Sequence, residues 1–252
     1  MIEVFILSIF QGITEFLPIS SSSHLILVSE FLKFEDQSLS IDVSLHIGSF
    51  IAVLIYFKRD ILNFYKNKIL FLKILLASLP VMIIGYIMAT TGYIHKIRNI
   101  EIIAWTTIIF GLLLYFSDRF KLEKNISNNF NLKTALFIGI LQILSLIPGV
   151  SRSGIAITAA RFLKFKRVDA AKITFLLSIP ILGAVSIFGI TNIFTSGNLN
   201  FAKVNLAAIL LSLFFSLITI KYFIEYIRKF NLDIFVFYRI LLGVILLFLA
   251  YS

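Results

Sequence analysis

The chain has 252 residues, of which 59% are hydrophobic and 14% are charged, with a net charge of +10 and no cysteine. Charged residues normally make up about a quarter of a soluble domain, and one soluble core cannot bury this much apolar surface. We therefore expect a multi-pass helical membrane protein. The absence of cysteine excludes disulfides and thiolate metal sites. The positive charges lie in short loops, so they predict membrane topology rather than nucleic-acid binding.

Six apolar segments are long enough to cross a bilayer, for which about 20 residues are needed. These segments are 41–57, 70–90, 100–116, 173–193, 205–222 and 234–251. Two further apolar segments, 1–28 and 134–160, each contain a cluster of polar residues. Because charge at membrane depth is costly, such clusters indicate chemistry or transport.

Loop charges orient the segments, since cytoplasmic loops carry an excess of lysine and arginine. The loops expected in the cytoplasm are 58–73, 117–133 and 161–172. The loops near 30–40 and 194–204 contain few basic residues and are expected outside. The protein is therefore expected to be oriented with its basic loops in the cytoplasm.

The segment 134–160 has cytoplasmic loops on both sides in this assignment, so it must enter and leave from the same side. It is too short for two crossings at about 1.5 Å per residue, and Pro148-Gly149 marks a break. We therefore expect a re-entrant helical hairpin. The segment 1–28 either crosses once or dips in from outside and returns, because Pro18 and the serines after it interrupt its middle.

Two re-entrant hairpins, each followed by three spans, describe an all-α fold with six transmembrane helices and an inverted-topology repeat. The repeats cover about 1–120 and 130–252 within a single membrane domain, 1–252. Such repeats, with broken helices meeting at the midplane, are typical of secondary transporters and predict a polar cavity between the repeats. Aligning Pro18 with Pro148 gives a weak internal match. It pairs Ser21 with Ser151, Ser23 with Ser153 and, one residue out of register, Gln11 with Gln142.

The first polar cluster offers oxygen ligands and hydroxyl groups. Gln11 and Glu15 are four residues apart, so a helix presents both toward the same ligand or cation. Ser20 and the three serines after it supply hydroxyls, and a helix break exposes N–H groups that bind anions. His24 can move a proton near neutral pH.

The second cluster is suited to phosphate. Arg152 offers a planar fork of donors, flanked by Ser151 and Ser153. Gly149 and Gly154 allow the backbone to approach closely. Together the two clusters predict an anion site with a nucleophile, a base and a candidate metal.

Structural roles compete with these interpretations. Intramembrane serines more often pack or bond to their own helix, and His24 and Gln11 have the alternative of bridging helices. Glu15 and Arg152 have the alternative of a structural ion pair, although intramembrane charges are functional by default. Asp42 and His46 lie near an external span end, where interfacial and catalytic roles compete.

One arginine is assigned no part in the site. Arg239 lies near the start of the last predicted span, at its cytoplasmic end. Long basic side chains at such positions extend to the membrane surface. We expect Arg239 to do the same.

Four motifs lie along the chain in order. They are Gln11-x-x-x-Glu15 running into FLPISSSSH at 16–24, DVSLHIG at 42–48, PGVSRSG at 148–154 and FLLSIP at 175–180. They resemble the signature segments of the undecaprenyl-diphosphate phosphatase family, also called bacitracin resistance proteins. The resemblance covers essentially the whole chain. Departures are Gln11 in place of a glutamate, Ser23 in place of glycine and Ala156 in place of threonine.

The resemblance implies an integral enzyme of the bacterial cytoplasmic (inner) membrane. It would remove the terminal phosphate of undecaprenyl diphosphate, with Mg²⁺ or Ca²⁺, and so recycle the lipid carrier of cell-wall synthesis. By position, Glu15 is the essential carboxylate, Ser21 the nucleophile, His24 the family histidine and Arg152 the phosphate-binding arginine. Ser20, Ser151, Ser153, Gly149 and Gly154 would contact substrate.

The residues leave alternatives for the nucleophile, the function and the assembly. Ser21 attacks with His24 as acid or base, or His24 attacks, or a metal-activated water held by Glu15 does so. Glu15 and Gln11 are the candidate metal ligands. A polyprenyl-phosphate transporter using the same anion site is the main alternative function, and a homodimer is a candidate assembly.

Overall fold

The computed structural model describes residues 2–32, 39–93, 97–195 and 203–251, which are predominantly helical. The helices discussed below are α1 Ile2–Thr14, α2 Ser21–Leu32, α3 Leu39–Tyr56, α4 Lys58–Lys66, α5 Lys68–Thr90, α6 Ile100–Asp118, α7 Ile126–Asn129, α8 Leu132–Gln142, α9 Arg152–Phe162, α10 Arg167–Thr195, α11 Lys203–Lys229 and α12 Asp233–Tyr251. A 3₁₀ turn, Ile143–Leu146, continues α8.

Five of these helices, α5, α6, α10, α11 and α12, are each long and apolar enough to cross a membrane. A sixth is obtained when α3 is counted together with α4, which bends away from it by 75°. Their outer faces carry large apolar side chains, such as Phe237, which is 69% exposed. An apolar exterior of this extent is suited to lipid rather than water. The prediction of an all-helical, multi-pass membrane protein is confirmed.

The two predicted breaks are present, at residues 15–20 between α1 and α2 and at 147–151 before α9. Ser20 and Ser151 have φ angles of +72° and +71°, and each immediately precedes a helix. Residues other than glycine rarely adopt this backbone conformation, so each serine stores strain of about 1–3 kcal/mol.

The backbone changes the alignment of the two breaks. Ser20, and not Ser21, corresponds to Ser151, because both occupy the left-handed position before a helix. The same offset brings Gln11 onto Gln142, which the proline-based alignment left one residue out of register. The two alignments differ by one residue because the second break has one more residue between its proline and its helix.

Side chains join the two breaks directly. Ser153 Oγ donates to the carbonyl of Leu17 at 2.6 Å. Arg239 donates to the carbonyl of Pro18 in the first break and to those of Gly149 and Val150 in the second. The prediction that Arg239 extends to the membrane surface was wrong, because it is fully buried. Its position in the sequence did not indicate which face of α12 points into the bundle.

A charged cluster around Asp118 joins the ends of several helices. Asp118 accepts from Arg161 Nε at 3.1 Å and from Arg167 Nε at 2.8 Å. It also accepts from the backbone N–H of Leu232 at 3.1 Å. Arg161 is fully buried. The cluster therefore ties the loops after α6, α9 and α11 together, which is consistent with one membrane side for the first two loops.

Candidate active site

A single carboxylate gathers side chains from both breaks. Glu15 Oε2 accepts from Ser21 Oγ at 2.6 Å and from Gln11 Nε2 at 3.1 Å. Its other oxygen, Oε1, accepts from Arg152 Nη2. Glu15 is only 8% exposed, so the ion pair with Arg152 lies in a largely water-excluded site. Four of the residues predicted from sequence therefore meet, although 137 positions separate Glu15 from Arg152.

Local structure explains why these groups converge. Gln11 is on α1 and Glu15 follows its end, so the four-residue spacing puts both side chains on one side of the helix. Ser21 is the first residue of α2 and Arg152 the first residue of α9. Both helix starts therefore lie at the carboxylate, and a helix start is favourable for a negatively charged ligand.

His46 also belongs to this cluster. Its Nδ1 lies 2.6 Å from Gln11 Nε2, and an amide nitrogen can only donate, so Nδ1 accepts. The sequence left the role of His46 open, because nothing in it indicates that this part of α3 lies against α1. A histidine inside an apolar segment was the available signal.

His24 lies apart from the Glu15 cluster. Its Nδ1 faces the carbonyl of Ser20 at 2.6 Å and its Nε2 faces the hydroxyl of Tyr238 at 2.5 Å. The ring also stacks on Tyr238. Because a carbonyl can only accept, Nδ1 carries the proton and Nε2 accepts from Tyr238 in the neutral ring. Within the described residues no hydrogen bond joins His24 to Ser21, whose hydroxyl donates to Glu15 instead.

The remaining predicted serines form pairs within each break. Ser20 Oγ lies 2.9 Å from Ser23 Oγ, and Ser151 Oγ lies 3.1 Å from Ser153 Oγ. Ser151 Oγ also accepts from the N–H of Gly154 at 3.1 Å, which caps α9. These hydroxyls therefore shape the ends of the breaks around the Glu15 cluster.

Close backbone contact accounts for the two predicted glycines. Gly149 has a φ of +90°, and a Cβ there would lie 2.0 Å from Thr106 Oγ1. A Cβ on Gly154 would lie 2.8 Å from Arg239 Nη1. Both glycines are thus needed for the second break to pack against its neighbours, whatever else they contact.

Two buried polar atoms of the cluster lack a hydrogen-bond partner among the described residues: Arg152 Nη1 and Gln11 Oε1. Leaving such a group unpaired costs about 1–3 kcal/mol, and more for a charged group. The first atom is a cationic donor and the second is an acceptor. An anionic oxygen satisfies Arg152, and a cation or a donor satisfies Gln11.

The side-chain oxygen atoms of the cluster fit a divalent cation in one arrangement. Among the described residues there is no group of three or more histidine, cysteine, aspartate or glutamate side chains that could hold a metal ion. Mg²⁺ is nevertheless often bound by one or two carboxylates together with substrate phosphates and water. Glu15 and Gln11 Oε1 offer two oxygen ligands, so they fit a cation shared with a phosphate ligand rather than one held by protein alone.

The family comparison agrees with the resemblance read from the motifs. The model of the bacitracin resistance protein BacA family matches residues 4–245. The chain belongs to this family. A BacA-family relative from Pelagibacter ubique (strain HTCC1062), named undecaprenyl-diphosphatase, is 49% identical over 100% of this chain and 98% of its own length.

Two other BacA-family relatives carry the same name. The protein from Saccharophagus degradans (strain 2-40) is 41% identical over 94% of this chain and 93% of its own length. The protein from Jannaschia sp. (strain CCS1) is 38% identical over 100% of this chain and 99% of its own length. The chain therefore spans essentially the full length of these BacA-family proteins.

Proposed function

We propose that the protein is a membrane phosphatase that hydrolyses undecaprenyl diphosphate to undecaprenyl phosphate and inorganic phosphate. Full-length relatives with this name support the reaction. The observation that carries the proposal is the contact of Ser21 and Arg152 with one buried carboxylate, with Arg152 Nη1 still available to a ligand. In the bacterial cytoplasmic membrane the product would return to the carrier pool for cell-wall synthesis.

The diphosphate binds where the starts of α2 and α9 meet. Arg152 Nη1 donates to an oxygen of the terminal phosphate, and the first N–H groups of both helices add to the positive field. The serines and glycines of the breaks hold the backbone close to the phosphate. Arg152 stabilises the charge that develops as the phosphoryl group transfers.

Ser21 is the nucleophile that the contacts favour. Its hydroxyl already donates to Glu15 at 2.6 Å, so Glu15 accepts the proton as Oγ attacks the terminal phosphorus. The bond to the bridging oxygen breaks and undecaprenyl phosphate leaves, and its new terminal oxygen takes the proton from Glu15. The regenerated carboxylate then deprotonates a water that attacks the phosphoserine, and Glu15 returns this proton to Ser21 Oγ as phosphate leaves. His24 is less suited to attack, because both its ring nitrogens already face hydrogen-bond partners.

A divalent cation, Mg²⁺ or Ca²⁺, belongs to this proposal. Glu15 and Gln11 Oε1 would hold it together with the diphosphate, and it would neutralise part of the phosphate charge. With a glutamine at position 11, the protein contributes one negative ligand instead of two. Affinity for the cation should therefore depend strongly on whether the substrate is bound.

The reaction is tested by phosphate release from a polyprenyl diphosphate by the purified protein, with added Mg²⁺ or Ca²⁺ and with a chelator. We expect release that stops when the cation is removed and returns when it is restored. Glu15→Gln should be inactive under every condition. If the purified protein moves the lipid between leaflets but releases no phosphate, the transporter alternative replaces the phosphatase.

We also propose that two re-entrant hairpins and an inverted repeat underlie the fold. A set of helix contacts supports this, because exchanging the two halves maps each pair of the set onto a pair of the same set. The matching pairs are α1 on α11 with α8 on α5, α3 on α11 with α10 on α5, and the self-matching pairs α3 on α10 and α6 on α12. Each half then supplies one break to the site.

Labelling of introduced cysteines tests the topology without interference, since the chain has none. Cysteines replacing the exposed residues Leu62 and Lys166 should react only from the cytoplasm. A cysteine at position 37, which lies outside the described residues, should react only from outside. External labelling at Lys166 would remove the re-entrant hairpin from the proposal.

Self-association into a homodimer stays a prediction. Light scattering of the detergent-solubilised protein measures the mass of the particle after subtraction of the detergent. A mass twice that of one chain would support the dimer.

A further inference from the structure

Arg239 uses every donor that its side chain has. Nε donates to the carbonyl of Thr107 at 3.1 Å. Nη1 donates to the carbonyls of Pro18 and Val150, both at 3.1 Å. Nη2 donates to Gly149 at 2.8 Å and to Val150 at 3.2 Å. A guanidinium has five N–H groups, and all five are engaged with backbone carbonyls.

Its surroundings differ from those of Arg152 and Arg161, which also lie among packed helices. Arg152 and Arg161 each pair with a carboxylate, Glu15 and Asp118 respectively. Within the described ranges no carboxylate pairs with Arg239. A fully buried cation without a counter-charge is costly, so its retention indicates a specific task.

The acceptors of Arg239 identify that task. Pro18 lies three residues before Ser21, and Val150 lies two residues before Arg152. One planar group thus holds the backbone of both breaks immediately before the two residues that act on the phosphate. Arg152 keeps one donor for a ligand, whereas Arg239 has none left.

We infer that Arg239 is a positioning residue for the proposed phosphatase reaction. It fixes the first break relative to the second, and so sets the distance between Ser21 and the phosphate bound by Arg152. It does not touch the substrate. The inference rests on the proposed function, because the quantity that Arg239 controls is the geometry of that reaction.

The test compares Arg239→Lys with Arg161→Lys. Both positions are fully buried and both guanidinium groups donate to backbone carbonyls, but Arg161 lies in the Asp118 cluster. Lysine has one compact group and cannot reach the carbonyls of both breaks. Displacing a reacting group by about 1 Å costs on the order of 10²-fold. We expect kcat to fall by about that factor in Arg239→Lys with little change in KM.

Arg161→Lys is the control for buried charge and stability. It should lower the unfolding temperature in detergent but leave kcat per folded molecule unchanged. If Arg239→Lys retains kcat while wild type is active, the positioning role is wrong and the proposed function stands. If KM rises and kcat does not change, Arg239 acts on substrate binding, which also overturns the inference. If wild type releases no phosphate, it is the proposed function that fails.

A second variant keeps the test decisive if Arg239→Lys does not fold. A Cβ on Gly111 would lie 3.1 Å from Arg239 Cβ, so Gly111→Ala pushes the arginine by a few tenths of an ångström and keeps its charge. Gly183→Ala is the matched control, since its Cβ would meet Phe50 at an ordinary 3.4 Å. We expect a several-fold loss of kcat in Gly111→Ala alone. Equal kcat in both variants would overturn the inference.

Discussion

Ser21→Ala is expected to abolish phosphate release, because it removes the hydroxyl that attacks phosphorus. His24→Ala should lose much less, at or below the lower end of the ~10²–10⁴-fold typical of acid–base groups, since His24 bonds to Ser20 and Tyr238 rather than to Ser21. Steady-state phosphate release by the two purified variants measures this ranking. Ser8→Ala is a matched control, because among the described residues that buried hydroxyl of α1 bonds to its own helix alone, at the carbonyl of Val4.

The covalent intermediate gives an independent answer. A phosphoserine survives acid, whereas a phosphohistidine is hydrolysed by acid. Quenching the enzyme during turnover in acid should therefore preserve a phosphorylated peptide that contains Ser21. The reverse ranking of the two variants, with an acid-labile adduct, would assign the attack to His24. High turnover in both variants without any adduct would favour a metal-activated water held by Glu15.

Arg152→Lys should lower kcat/KM by at least about 10²-fold although the charge is kept. The arginine bonds to Glu15 through Nη2 and keeps Nη1 for the ligand, and a lysine ammonium cannot hold both groups in that geometry. Kinetics with a polyprenyl diphosphate in detergent measure the loss. Arg119→Lys is the control, since Arg119 pairs with Asp233 at the surface and such pairs contribute ~1 kcal/mol or less.

The outcome for Arg152→Lys separates a catalytic ion pair from a structural one. Turnover close to wild type would mean that Arg152 serves only to neutralise Glu15. A variant that is inactive and also unfolds at a much lower temperature would need the double variant Glu15→Gln/Arg152→Met. That double variant should regain stability without regaining activity, because it removes both buried charges.

The sequence contained enough information to find the membrane segments and the two charged residues at the centre of the site. Apolar length identifies a span without tertiary information, and Glu15 and Arg152 are conspicuous because charge inside an apolar segment is rare. Both breaks could also be predicted, since Pro18 and Pro148 lie within clusters of polar residues. Proline alone is not decisive, because Pro80 and Pro180 lie inside α5 and α10. These are local properties of the chain.

Contacts that depend on how a helix is turned about its own axis could not be predicted from the sequence. Arg239 was assigned to the membrane surface, and His46 had no assigned partner, because neither residue's helix face was known. His24 lies only three residues after Ser21, which suggested a shared role. The structure turns the two side chains to different neighbours, Glu15 for one and Tyr238 for the other. The three-residue spacing on α2 therefore did not predict which neighbours the two side chains contact.

The division of the site between two distant breaks has a consequence for biogenesis. Glu15 is synthesised well before Arg152, so the segment that contains the first break is made while its carboxylate has no cationic partner. Burying an unpaired charge is strongly unfavourable, and this segment is therefore expected to remain loosely inserted or to hold its proton until Arg152 follows. Its final packing thus depends on a residue synthesised 137 positions later.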